Sequence, residues 1–132
     1  MSSFTDYLEK GLLDHVSETA SFSSPSVYLG LFTADPTESG DQTNEVGAAD
    51  YAREGALAFD AASGTSPATI QNTNKIDFGQ ATNNWGTISH VGLMDAATGG
   101  NMLVHIELQN PQTINSGDTF QIAAGSLEVT LD

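Results

Sequence analysis

Beyond Pro25 apolar side chains recur at every second position, in short runs separated by Gly, Asn, Asp, Ser and Pro, and this alternation constrains the fold most. Val27, Leu29 and Leu31 share one face of the first run while Tyr28 and Phe32 occupy the other, as in a strand covered on both sides. Tyr51–Phe59 and Lys75–Phe78 read as short strands separated by the breaker-rich stretch Ser63–Asn74. Thr87–Met94 and Met102–Leu108 are the clearest pair, because Thr98, Gly99, Gly100 and Asn101 between them supply turn residues able to take positive φ. On the second of these runs Met102, Val104, Ile106 and Leu108 fill one face, with Leu103, His105 and Glu107 opposite. Thr119–Ala123 and Leu127–Leu131 close the series, joined through Ala124–Gly125–Ser126.

Ahead of the strands the period is different. Phe4, Leu8, Leu12 and Val16 recur every four residues, and Tyr7 and Leu13 widen the same stripe. This predicts a helix from Ser3 to about Val16, with Ser3 as N-cap and Asp6 three positions later in a variant capping box. Gly11 in its interior costs about 1 kcal/mol against Ala. The expectation is one domain over residues 1–132: a helix at 1–16, a Ser-rich connection, and a β-rich body at 26–132 carrying an exposed acidic loop at 35–50. The fold class is mainly β, an antiparallel β-sandwich or open barrel with an N-terminal α-helix at one end or edge.

The charge is lopsided. Seventeen Asp and Glu against three Lys and Arg give a net charge of −14. That excludes the usual electrostatic route to nucleic acid and argues against anionic membrane surfaces, both of which attract clustered bases. Charged residues are only 15% of the chain, below the roughly 25% of an average globular protein, so the acidity comes from scarce base. Cysteine is absent, which removes disulfides, thiol nucleophiles and thiolate ligands. No apolar run approaches the roughly 20 residues of a membrane span, and the opening residues lack the basic start and apolar core of a secretory signal.

Residues able to do chemistry are thinly spread. His15, His90 and His105 lack the partner spacing of zinc ligands. Ser89, His90 and Asp95 make a triad on paper, but consecutive strand residues point to opposite faces and no G-x-S-x-G elbow accompanies them. Asp35, Thr37, Ser39, Gly40 and Asp41 imitate a calcium loop, yet Val46 stands at the twelfth position where bidentate Glu is needed. The expectation is therefore no catalytic, cofactor or metal residues. Trp85 reads first as a core plug; with Tyr28 and Tyr51 it is alternatively the stacking platform of a carbohydrate-binding host-adhesion module. The candidate partner contacts are Phe4, Leu8 and Leu12 on the helix stripe, Asp35 and Asp41 in the acidic loop, and Trp85.

Several segments in order resemble a family of small tailed-bacteriophage virion structural proteins. They are Phe4-Thr5-Asp6-Tyr7-Leu8, Leu12-Leu13-Asp14-His15, Tyr28-Leu29-Gly30-Leu31-Phe32-Thr33, Pro36-Thr37, Glu45-Val46 and Tyr51-Ala52-Arg53. Later come Ala81-Thr82, Trp85-Gly86-Thr87-Ile88, His90-Val91-Gly92, Asp95-Ala96, Thr98-Gly99-Gly100-Asn101, Gly117-Asp118, Ala124-Gly125 and Leu131-Asp132. The family, commonly labelled tail-fibre or structural protein, implies a place in the particle and no catalytic residues. Small size and excess acid suit a capsid decoration (cement) protein on the outside of the head, since many like-charged copies repel and keep particles dispersed. The alternative is a tail-associated or tail-fibre protein. The expected partners are the major capsid protein or tail proteins of the same virion, with room for a homo-oligomer and no nucleic acid or membrane.

Overall fold

In the computed structural model, which describes residues 2–131, the alternating segments become strands that pair antiparallel throughout. In chain order the elements are β1 (Ser2–Phe4), α1 (Asp6–Val16), β2 (Tyr28–Phe32), β3 (Ala68–Gln71), β4 (Ile76–Gln80), β5 (Gly86–Met94), β6 (Met102–Ile114), β7 (Thr119–Ile122) and β8 (Glu128–Leu131). Met1 and Asp132, which end the expected helical segment and β-rich body, lie outside the described residues. Four strands form one sheet in the order β1-β6-β5-β2, and the ladders β3–β8 and β4–β7 build the second layer. Leu29, Leu31, Val91, Leu93, Val104 and Ile106 of the sheet meet Ile76, Phe120, Leu127 and Val129 of the ladders in one core. The sandwich expected from the alternation is present.

The outer face of the large sheet is covered too, as the two-sided apolar pattern of β2 requires. Phe32, Met94 and Met102 are buried there with Tyr28 against them. Gly30 and Gly92 sit opposite each other in register on β2 and β5. A Cβ on Gly92 would stand 2.8 Å from Met102 Cε and 3.1 Å from Phe32 Cε1. Bare backbone at this point is what lets the larger side chains fold over the sheet.

Three sequence expectations need correction. The helix begins two residues late: Ser2, Ser3 and Phe4 pair with Ile106, His105 and Val104 as β1, and Thr5 is the N-cap. The buried Thr5 hydroxyl donates to the carbonyls of Met102 at 2.5 Å and Leu103 at 3.1 Å, so sheet pairing outweighs another helical turn. Tyr51–Phe59 forms only isolated bridges, Leu29 with Glu54 and Phe59 with Asn72, because Ala56 takes φ 52° and breaks the extended chain. The stretch read as breakers, Ser63–Asn74, contains β3 directly after Pro67. The last two strands do not pair with each other: β7 pairs with β4 and β8 with β3.

That crossing between ladders is pinned by Asn72, a buried amide with every polar group used. Its Nδ2 donates to the carbonyls of Asn74 (2.8 Å) and Ala123 (3.0 Å), and its Oδ1 accepts the Leu127 amide (2.9 Å). Its backbone N–H donates to the Leu127 carbonyl while its own carbonyl accepts from Gly125. Asn72→Ala strands the buried Leu127 amide and two part-buried carbonyls at once. We expect a loss of about 2–4 kcal/mol in urea denaturation with the m-value unchanged.

Candidate functional site

The acidic loop and the β5–β6 turn meet at a single guanidinium. Arg53 has 3% of its side chain exposed and uses all five of its N–H donors. Nε and Nη2 form a bidentate pair with Glu45 at 2.7 and 2.8 Å, and Nη2 also donates to Gln42 Oε1 at 3.1 Å. Nη1 donates to the carbonyls of Ala96 and Gly99 at 2.8 and 2.9 Å, in the turn between β5 and β6. Gln42 Nε2 adds a bond to the Gly100 carbonyl. Glu45 lies over Gly30, where a Cβ would approach its Oε2 to 3.0 Å.

Tyr51 extends this hub to the sheet edge. Its hydroxyl donates to Glu45 Oε2 and accepts the Leu31 amide, both at 2.9 Å. Burial pushes its phenol well above the ordinary range, so the proton stays in place. Around it the chain completes the edge of β2: Val46 donates to the Leu31 carbonyl, and Leu29 and Glu54 exchange two backbone bonds.

A second hub lies at Asp50. Its carboxylate accepts the Thr82 amide at 2.7 Å, Asn83 Nδ2 at 2.9 Å and Trp85 Nε1 at 3.1 Å. The Asn83 bond, then the Thr82 amide, hold it well below the usual carboxylate range. Trp85 is 5% exposed and meets Tyr51 edge-on at 5.5 Å, with Phe78 and Phe120 completing the aromatic group. Trp85 therefore takes the packing role, with Tyr51 half-buried against it.

The other sequence candidates are placed as follows. Phe4 and Leu8 are half-buried against the core, and Leu12 is half-buried beside them. Asp35 and Asp41 are exposed and turn the loop, accepting the amides of Thr37 and Thr43 at 2.8 and 2.9 Å. Ser89 Oγ and His90 Nδ1 do touch, at 2.8 Å, because the β5–β6 register shifts around Ser89 and relaxes strict alternation. No triad follows: Asp95 binds the Asn101 amide and side chain, and His90 faces Asp35 at 3.9 Å. His105 Nδ1 lies 3.8 Å from the same Asp35 oxygen, and its buried Nε2 has no partner. His15 accepts the Phe22 amide. Among the described residues no three His, Asp or Glu converge to hold a metal ion.

Chemically, these groups hold chain to chain. Arg53, Glu45, Tyr51 and Asp50 spend their hydrogen-bonding capacity on backbone and on each other. In the sequence Arg53 stands only within the resemblance and Tyr51 reads otherwise as a strand or stacking residue, while Thr5, Asp50 and Asn72 carry no signal of a structural role. The usable signal was scarcity, since one of only three basic residues follows directly on a loop of carboxylates.

Two outcomes follow. Arg53→Met leaves the half-buried Glu45 carboxylate without its partner, and thermal or urea unfolding should show a loss of about 2–4 kcal/mol; Arg53→Lys, lacking the fork, should not restore it. Asp50 is deprotonated more readily in the folded than in the unfolded chain, so its contribution is complete above about pH 4 and fades as pH falls below that. Trp85 fluorescence should report wild-type stability declining through this acid range, with a flatter acid limb in Asp50→Asn.

A comparison with curated proteins finds no match. The chain is similar to the family described as podophage GP4 fiber I protein gp80, which matches residues 3–130.

Proposed function

Because the chain belongs to the podophage fibre I protein family, we propose that it is a non-enzymatic structural subunit of the phage particle, built into the tail or fibre and bound to other virion proteins there. The observation that carries this reading is the extent of the match, which takes in both layers of the sandwich, the helix and the acidic loop. The site geometry supports it. The strongest acid, base and hydrogen-bonding groups are committed to holding the 35–54 loop and the 95–101 turn in place, which suits a rigid surface for assembly. Head decoration, the first expectation from size and acidity, draws on features that a fibre subunit shares equally, and the fibre family favours the tail alternative.

Immunogold labelling of purified virions, followed by reconstruction of the tail by electron microscopy, tests this. Label on the tail or its fibres is the expected result. Label distributed over the head would return the cement reading, and virions free of the chain would end the structural role.

A further inference from the structure

The large, exposed apolar side chains gather in one region. Among the described residues they are Tyr7, Leu13, Val16 and Leu131, three on α1 and one on the neighbouring end of β8. Leu13, Val16 and Leu131 are 70%, 78% and 56% exposed. The two flanks of the helix differ. On one, the chain supplies its own cover: Phe22 lies against Gly11, where a Cβ would collide with the ring, and meets Tyr7 edge-on at 6.1 Å. On the other, Phe4, Leu12, Leu13 and Leu131 line an open depression of about 490 Å³ with Glu9 and Glu38 on its rim. Val16 follows Leu13 and Leu12 at helical spacing and prolongs the apolar surface. Glu38 is fixed there because its carbonyl accepts the Asp6 amide at the start of the helix.

Charge selects the occupant. Of three basic residues in the chain Arg53 is buried and fully engaged, which leaves Lys10 and Lys75 to meet carboxylates on a second copy carrying its own −14. Two such surfaces repel, while an apolar anchor flanked by Lys or Arg is attracted and oriented. Resting on the assembly role proposed above, we infer that the Leu13–Val16–Leu131 face is the docking surface for a different virion protein, one that presents an apolar segment bordered by basic residues. Leu13 and Leu131 fill the contact centre and Glu9 and Glu38 set its register.

The test uses the full chain supplied in trans to phage lacking it, with its amount in purified virions read by quantitative immunoblot. Leu13→Asp combined with Val16→Asp should keep the wild-type melting temperature and reduce incorporation at least ~10-fold, the scale of a central interface residue. Glu9→Lys combined with Glu38→Lys should also reduce incorporation, with a fold that the exposed positions leave intact. Normal incorporation of the folded Leu13/Val16 variant overturns this surface while wild-type incorporation keeps the assembly role standing. Failure of the wild-type chain itself to enter virions overturns the assembly role instead. Sedimentation equilibrium of the purified chain should give a monomer; a dimer abolished by the Leu13/Val16 variant would assign the face to a second copy and overturn the inference.

Discussion

The guanidinium of Arg53 is the constraint on which the outer half of the structure depends. A carboxylate-rich loop and a glycine-rich turn have little apolar material with which to pack. One buried cation with five directed donors gives both a fixed partner, and its bidentate pair with Glu45 compensates the desolvation that burial imposes. The residues it gathers come from widely separated parts of the chain: Gln42 and Glu45 from the loop, Ala96 and Gly99 from the turn. Phe32, Met94 and Met102 are buried on this side of the sheet, and Gly40 of the loop lies against Met102. The net acidity and the rigidity of this region have the same origin: base is scarce, and part of what exists is inside.

Asn72 does in the second layer what Arg53 does over the first. Each is a polar side chain whose donors are all matched, Asn72 by backbone carbonyls and Arg53 by Glu45, Gln42 and two turn carbonyls, so each specifies one path of the chain among several that the apolar pattern alone would permit. Apolar burial drives the two layers together, and these two residues decide which turn lies beside which.

The alternation and turn chemistry made the sandwich legible, and the β5–β6 hairpin most of all, because Asp95–Asn101 carries the residues that a tight reversal needs. What was not legible came from contacts between distant residues. Ser3 looks like a cap until β6 offers Phe4 and its neighbours a ladder, and then Thr5 takes the role. Tyr51–Phe59 has the composition of a strand, but its backbone turns aside at Ala56 to leave Tyr51 and Arg53 inside the hub. Asp50 and Arg53 stand in no periodic pattern; Asp50 meets Thr82, 32 positions away, and Arg53 reaches the Gly99 carbonyl, 46 positions away, contacts that periodicity cannot see. The stripe on α1 was visible, whereas its division into an inner part and an uncovered outer part depended on where β8 ends.

The way β2 is finished has a wider consequence. Its outward-facing backbone groups at Leu29 and Leu31 are satisfied by Val46, Glu54 and, in place of a carbonyl, the hydroxyl of Tyr51. A rim already occupied gives a sister molecule nothing to add to in strand-by-strand fashion. Along this rim, copies of this protein can therefore be crowded side by side at high local concentration without extending the sheet from one molecule to the next, and contacts made there are left to side chains, where they can be selective.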